Sequence, residues 1–517
     1  MSFCTVLSAA VQGLSVEMIR VEADVSNGLP MFHMVGYLSS EVKEASERVR
    51  TAIRNSGMKL PAKKIIVNLA PATVRKRGAS FDLPIALAVL VAMNYVPEEA
   101  LKGVAVIGEV SLEGKIRGVS GVLPIVMEAK NQGCTACILP EENEIEGRLV
   151  SGIKILPADN LEKLCAYLNG DEKEIHRKKQ GSSSAQRNIF ENKEEDFSDI
   201  CGQNAVKRAA EIAVAGGHNL LMAGPPGSGK SMIARRIATI LPELSLEESL
   251  EITRIYSVLG MIDKEQPLIT RRPFRSVHHT ITKTALVGGG MTPRPGEISM
   301  AHGGVLFLDE LAEFPRNVLE VLRQPLEERK ITVTRVSGNY EFPADFMMVA
   351  AMNPCPCGNY PDMQKCSCTP SQIQKYLGKI SQPFLDRMDL CIETPKVEYR
   401  ELDIERIGKK EEESSEVIRS RVVEARKLQK KRYEGTQIRT NSMLGPGEIR
   451  TYIPLGSAER KLMEKAFERM GLTARTYHKI LRVARTIADL DYSEKVTEKH
   501  LKEAIAYRSL DKKYWGR

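Results

Sequence analysis

The sequence predicts an α/β protein of two compact parts closed by a helical C-terminal part, and three observations carry that reading. The apolar run Leu220 to Ala223 is followed by Gly224-Pro225-Pro226-Gly227-Ser228-Gly229-Lys230-Ser231, an intact G-x-x-x-x-G-K-[ST] pattern, and then by Ile233, Ile237, Ile240 and Leu241 on one helical face. Ahead of it, β-prone runs alternate with helical periodicity. Beyond Val397 the pattern is helical to the end.

The 517 residues have room for two to four domains, and 42% hydrophobic with 27% charged residues describes an ordinary chain able to bury sizeable cores. Residues 1–166 read as an α/β domain. Its strands are expected at Ser15 to Val21, Lys64 to Leu69, Val104 to Val110 and Ala136 to Leu139, with a helix from Ser40 to Ser56. Residues 171–195 are charged, Ser-rich and without apolar periodicity, which predicts an exposed linker. The second α/β domain spans 196–398 and the helical domain 399–517. The longest largely apolar run, Pro84 to Met93, is too short to span a bilayer, and Met1 to Gly13 lacks a basic region followed by an apolar core. These features predict a cytoplasmic protein without a membrane partner.

The glycines of the loop let backbone N–H groups approach phosphates, Lys230 would reach the terminal ones, and the Ser231 hydroxyl would help hold Mg2+. ATP is the expected ligand. Downstream, Val305 to Leu308 is a continuous apolar run, as a buried parallel strand requires, and it ends in Asp309-Glu310. Asp309 would bind magnesium and Glu310 would polarise the attacking water. A third strand, Phe346 to Met352, ends at Asn353.

The ten cysteines include four between positions 355 and 368. Cys355-x-Cys357 with Cys366-x-Cys368 supplies four soft ligands suited to tetrahedral Zn2+, although the spacing is tighter than the usual C-x₂-C; free thiols in a tight loop are the alternative. His278, His279 and His302 have no carboxylate or thiol at ligand spacing in the sequence and read as loop packing or phosphate contacts.

A net charge of +8 permits a nucleic-acid partner without demanding one, so local patches must decide. Between Arg271 and Gly296 stand Arg271, Arg272, Arg275, Lys283 and Arg294 with no acidic residue, around Gly288 to Gly290 as a flexible tip. A second basic element, Arg329, Lys330 and Arg335, lies beside a hairpin-like Thr334 to Tyr340 whose turn is Ser337-Gly338-Asn339. Either element grips DNA phosphates without reading sequence, or it is a solvated loop or subunit contact.

The segment Gly78-Ala79-Ser80-Phe81-Asp82-Leu83-Pro84 resembles the active-site region of the Lon-type protease domain, of the ribosomal protein S5 domain 2-like fold, with Ser80 at the nucleophile's place. A hydroxyl needs an adjacent base. The position matching the activating lysine is Leu123, and Lys115 and Lys130 do not fit the spacing, so the resemblance implies the fold without proteolysis.

Several long stretches form one pattern: Arg272-Pro-Phe-Arg-Ser-Val-His-His-Thr280, Gly288-Gly-Gly, Arg294-Pro-Gly-Glu-Ile298, Gly304-Val-Leu-Phe-Leu-Asp-Glu-Leu311, Asn353-Pro-Cys-Pro-Cys-Gly358 and Ala474 to Ala488. Through them the chain, across nearly its whole length, resembles the ComM/YifB family of magnesium-chelatase-like AAA+ ATPases. Val277 stands where the family commonly has proline. The resemblance implies that Asn353 is a sensor of the attacking water or γ-phosphate. Arg387, within Pro383-Phe-Leu-Asp-Arg-Met-Asp389, would be an arginine finger for the neighbouring subunit or else a surface ion pair. Arg475 would be a second sensor reaching the γ-phosphate from a mobile lid. It further implies a hexameric motor that moves on DNA and drives branch migration when imported DNA is recombined in natural transformation. A chelatase-type remodeller acting through partner proteins and an ATP-dependent protease using Ser80 are the alternatives.

Overall fold

The computed structural model describes residues 2–171, 195–291, 293–335, 338–396 and 412–516. The linker expected at 171–195 therefore lies, apart from its two end residues, outside the described residues, as does Ser337 of the expected hairpin turn.

The N-terminal domain has nine strands: β1 (Ser2–Gln12), β2 (Ser15–Ser26), β3 (Met31–Val35), β4 (Lys64–Ala70), β5 (Val104–Val106), β6 (Glu109–Val110), β7 (Ile116–Arg117), β8 (Ala136–Pro140) and β9 (Lys154–Ala158). Seven of them form one mixed sheet in the order β3-β4-β2-β1-β5-β8-β9, while β6 and β7 pair apart. The expected helix runs Ser40–Asn55, and the expected strand over Val104 to Val110 is broken into β5 and β6 at Gly108. There φ is +158° and a Cβ would meet the Leu83 side chain at 3.1 Å.

Strand β1, absent from the expectations, is the sheet's centre. Cys4, Val6 and Ala10 join the core shared with the fully buried helix Asp82–Ala92, whereas Ala9 joins the core shared with helix Val122–Asn131. Successive residues point to opposite faces, and here both faces are covered.

The second domain is built on a parallel sheet of β10 (Leu220–Ala223), β11 (Phe274–Val277), β14 (Val305–Leu308), β17 (Met347–Met352) and β18 (Leu390–Glu393), in the order β11-β14-β17-β10-β18. Strands β10, β14 and β17 are buried throughout, which explains their unbroken apolar runs. Two hairpins leave this sheet: β12 (Gly288–Gly289) with β13 (Arg294–Pro295), and β15 (Lys330–Arg335) with β16 (Gly338–Pro343).

The C-terminal helices Ser415–Arg432, Ala474–Leu490 and Glu498–Ala506 share one core with helix Asn204–Gly216 and one face of the sheet. Arg400 to Glu411, which precede the first of them, lie outside the described residues. That helix is interdomain: Gln429 donates to the Ala215 carbonyl at 3.0 Å and Arg426 to the Val214 carbonyl at 2.7 Å. No helix among the described residues is long and apolar enough to cross a membrane.

The N-terminal domain docks on helix Leu246–Leu259. A capping box between Ser245 and Glu248 starts that helix, and Gly260 in the left-handed region (φ 68°) ends it. Near this end the buried Glu146 carboxylate accepts from Ser257 Oγ at 2.5 Å and from the Leu123 N–H at 2.8 Å, while the Ser257 carbonyl accepts from the Gly121 N–H at 2.9 Å. Burial pushes the Glu146 carboxyl up, against these and other hydrogen-bond donors.

Candidate nucleotide site

Because all five strands of the second sheet run parallel, the residues that leave their C-terminal ends gather along one edge. The phosphate loop follows β10, His278 and His279 follow β11, Asp309 and Glu310 follow β14, and Asn353 follows β17. The loop must be glycine-rich here for a steric reason. A Cβ on Gly224 would lie 2.2 Å from the Thr394 carbonyl oxygen, and Gly227 and Gly229 have φ of +74° and +80°.

Lys230, the first residue of helix Lys230–Ile237, folds back over the loop. Its Nζ donates to the carbonyls of Gly224 (2.7 Å) and Pro225 (2.8 Å), and it contacts Ser228 Oγ (3.4 Å) and Asn353 Oδ1 (3.3 Å). All four partners are neutral. Burial lowers the Lys230 amine to about 8, against the opposing pull of Asp309. A buried cation supplied only with neutral oxygens fits a phosphate, which would give it a counter-charge. Ser231 Oγ donates to Asp309 Oδ2 at 2.7 Å, so a hydroxyl and a carboxylate meet at the helix N-terminus, a hard oxygen pair of the kind Mg2+ prefers. Gln203, with φ of +51°, closes the loop's other side by donating to the Ser228 carbonyl at 2.8 Å.

The lowered Lys230 sets an expected pH dependence. Phosphates raise the amine's pKa, so nucleotide binding takes up a proton above about pH 8, and affinity falls as pH rises through that region. Titration calorimetry in buffers of different ionisation heat checks this. Proton release on binding would contradict it.

Glu310 adopts a left-handed backbone (φ 54°, ψ 46°), rare for a residue with a side chain and found where surrounding structure enforces it. Its neighbour contributes: the Glu310 N–H donates to Asp309 Oδ1 at 2.9 Å. The expectation that no carboxylate accompanies the histidines is corrected, because β11 and β14 are adjacent and bring His278, His279 and Glu310 together with their ligand atoms within 4.8 Å. His279 Nδ1 lies 3.2 Å from Glu310 Oε2 without the alignment of a hydrogen bond. Its ring is set between His278 (4.0 Å between centroids) and the edge of Phe314 (6.4 Å). Sequence reasoning gave His279 loop packing or a phosphate contact and missed its place beside Glu310; the His-His pair was its only signal. His279→Ala is expected to lower kcat about tenfold with KM for ATP unchanged, because a 1 Å displacement of a catalytic group costs up to about 10²-fold. Steady-state kinetics reads this directly, and an unchanged kcat would deny His279 a positioning part. His302 packs within the fold, accepting from the Asp345 N–H at 3.1 Å, and it too has a carboxylate nearby, Glu251 at 3.3 Å.

Arg387 and Arg475 are not at this edge. Arg387 precedes β18, and the register Leu220↔Leu390 puts it at the N-terminal edge of the sheet, opposite the phosphate loop. The same chain's nucleotide is out of its reach. It is largely buried and held by the Arg323 carbonyl (3.2 Å), the Pro383 carbonyl and Glu327 Oε1 (2.6 Å). Burial lowers its pKa, and the positive charges of Arg323 and Arg475 add to that effect. Arg475 is thus a neighbour of Arg387, exposed at the start of helix Ala474–Leu490. Arg475, expected as a second sensor on a mobile lid, therefore stands beside Arg387 and away from this chain's own phosphate loop. Lys479, one turn on, donates to the Met388 carbonyl at 3.1 Å and pairs with the buried Asp389 at 3.1 Å, which fixes the helix start beside Arg387.

The four cysteines do converge. Cys355 Sγ is 3.4 Å from Cys357 and 3.8 Å from Cys366, Cys357 is 3.6 Å from Cys366, and all four sulfurs including Cys368 lie within 4.8 Å of one another. Their loop touches the phosphate loop: at Gly358 (φ +80°) a Cβ would sit 2.3 Å from Pro226 Cδ.

The basic elements divide. Arg272 donates to the carbonyls of Pro242 (2.6 Å) and Gly303 (2.7 Å) and contacts Glu248, and Arg275 makes a two-point pair with Glu297 at 2.7 and 2.9 Å. These two are corrected from DNA candidates to internal ties. Arg271, Lys283, Arg294 and Arg335 remain exposed. Arg335 Nε approaches the Gly290 carbonyl at 3.5 Å, so the two hairpins meet. In the N-terminal domain, Ser80 lies in a turn before helix Asp82–Ala92, Leu123 is fully buried, and Lys115 pairs at the surface with Glu113 at 3.1 Å.

A parallel sheet in this order, carrying a phosphate loop, an Asp-Glu pair and a polar strand end along one edge, defines an ATPase of the AAA+ type. Family models described as magnesium chelatase, subunit ChlI, match residues 196–402 and, for its C-terminal part, 412–508, and one described as subunit ChlI of Mg-chelatase matches 21–143. The chain is 43% identical over 512 residues to an uncharacterized protein, YifB, of Escherichia coli, covering 99% of this chain and 98% of that protein. It is 41% identical over 517 residues, with the same coverages, to the competence protein ComM of Haemophilus influenzae. A shorter match, 28% over 186 residues, covers 31% of this chain and 33% of Lon protease 2 of Bacillus subtilis. The chain belongs to the ComM/YifB family of magnesium-chelatase-like AAA+ ATPases, and membership implies ATP hydrolysis with Mg2+.

Proposed function

We propose that the chain is a cytoplasmic, ATP-hydrolysing, hexameric ring motor that moves on single-stranded or branched DNA and drives branch migration during recombination of imported DNA. The observation that carries this reading is the meeting of the two hairpins, where Lys283, Arg294 and Arg335 are exposed around a glycine tip. The printed name of the Haemophilus influenzae relative, a competence protein, supports it. In this reading Lys230 and the loop N–H groups hold the ATP phosphates, Ser231 and Asp309 hold Mg2+, Glu310 takes the proton of the attacking water, and Asn353 orients that water. Arg387 and Arg475, on the opposite edge, serve the nucleotide of the adjacent subunit. The four thiols take a structural Zn2+, and the N-terminal domain has no protease activity because Leu123 provides no base for Ser80.

The test is the ATPase rate with and without single-stranded and four-way-junction DNA, alongside junction movement and casein degradation, with Lys230→Ala as the inactive control. DNA stimulation and junction movement are the expected results. Neither occurring would overturn the motor reading, as would stimulation seen only with a chelatase partner, and Ser80-dependent proteolysis would replace it.

A further inference from the structure

The N-terminal domain touches the hairpin tip through a basic segment that lies outside the two elements already described. Residues Arg75 to Arg77 run extended beside Tyr37 to Ser39: the Lys76 N–H donates to the Tyr37 carbonyl at 2.9 Å, and the Ser39 N–H donates to the Lys76 carbonyl at 3.0 Å. Neighbours in extended chain point to opposite sides. Lys76 points inward, fully buried, with its amine on the Pro71 carbonyl. Arg75 and Arg77 therefore share the outward side. The Arg75 guanidinium lies 5.5 Å from the centre of the Tyr37 ring, and Arg77 Nη2 lies 3.5 Å from the Met291 carbonyl oxygen.

Met291 stands at the tip of the β12–β13 hairpin with 81% of its surface exposed. From the other side, Arg335 Nε lies 3.5 Å from the Gly290 carbonyl, and its Nη2 would lie 3.1 Å from a Cβ on Gly289. Two parts of the chain far apart in sequence thus bring guanidinium groups to one glycine tip, whose own return strand carries Arg294. Both approaches to the tip carbonyls are at the outer limit of a hydrogen bond; Arg335 Nη1 also donates to the Thr334 carbonyl at 3.1 Å, and among the described residues most donors of each fork are left over. Among the described residues Arg75, Arg77, Arg294 and Arg335 enter no ion pair. The charges of Arg77 and Arg75 also reach the Glu41 carboxylate. A cluster of guanidinium forks beside the run Gly288 to Gly290, which presents no side chain to obstruct approach, matches the phosphodiester chain of a nucleic acid.

We propose that Arg77, with Arg75 behind it, belongs to the DNA-binding surface, so that the Lon-like domain supplies phosphate-binding groups at the hairpin tip. This rests on the DNA reading above and assigns the N-terminal domain a share in it. The test uses the full chain, a labelled thymidine 30-mer and a labelled four-way junction, with anisotropy measured across a range of salt. For Arg75→Gln/Arg77→Gln, affinity is expected to fall about tenfold, and the slope of log K against log salt on the 30-mer to become shallower by about 0.7 for each phosphate that is no longer neutralised. Arg77→Lys retains the slope, and basal ATPase and Tm stay at wild-type values. Wild-type affinity and slope in the double variant would overturn the inference and leave the motor reading standing. A matching loss of basal ATPase and Tm would reduce Arg77 to an interdomain strut and overturn it too. Failure of the wild-type chain to bind either DNA would overturn both.

Discussion

Glu310→Gln is expected to lower ATP turnover about 10²- to 10⁴-fold, the span attributable to a positioned general base, while ATP still binds. The two acids at the end of β14 are not interchangeable. Both oxygens of Asp309 are spoken for, one accepting from Ser231 Oγ at 2.7 Å and the other from the Glu310 N–H at 2.9 Å, which leaves Asp309 suited to metal holding. The Glu310 side chain is 52% exposed and lies 3.2 Å from His279 Nδ1. Its backbone is left-handed just beyond the end of the strand. Glutamine keeps that shape and removes the proton acceptor. Nucleotide affinity, measured with a fluorescent ATP analogue, should therefore match the wild type, whereas Lys230→Ala should lose affinity as well as turnover. Turnover within a few-fold of wild type in Glu310→Gln would place the base elsewhere.

Strands whose two faces are both buried announce themselves as apolar runs only when their residues are large. That is why Leu220 to Ala223, Val305 to Leu308 and Met347 to Met352 were legible, together with the chemistry at their ends. Strand β1 is equally central, but it alternates small and polar residues such as Ser8, Ala9 and Ala10, which fit between two helices and leave no periodic signature. The site was legible where motif residues follow one another along the chain and illegible where the fold brings them together. His279 meets Glu310 because β11 pairs with β14, a register no local pattern encodes. The basic window from Arg271 to Gly296 closes one residue before Glu297, the partner that neutralises Arg275, and Arg272 finds Glu248 well upstream. Counting charge along sequence overestimated that patch, and it passed over Arg77 altogether. The place of Arg475 was illegible for a related reason: its helix is aligned by the buried pair of Lys479 with Asp389, which only packing shows.

The purified chain is expected to carry about one Zn2+, and Cys355→Ser to lose it with a fall in Tm of several degrees, since about 1 kcal/mol corresponds to 2–4 °C in a domain of this size. Tetrahedral thiolates at Zn–S distances of about 2.3 Å stand about 3.8 Å apart. The sulfurs of Cys355, Cys357 and Cys366 stand 3.4 to 3.8 Å apart. Four protein ligands would leave no open position, so a bound Zn2+ would be structural and would influence catalysis through packing. The route is short. Cys357 is followed by Gly358, whose turn abuts Pro226 of the phosphate loop so closely that no side chain fits between them. Loosening this turn frees the phosphate loop, so KM for ATP should rise several-fold in Cys355→Ser, whereas kcat at saturating ATP should change little because the thiols do not supply the base. Elemental analysis of the purified chain, a melting curve and steady-state kinetics read the three effects separately. A zinc-free wild type whose Tm and KM are matched by Cys355→Ser would mean that the thiols merely fill the loop, while loss of kcat without loss of Tm would make the cluster part of the chemistry instead.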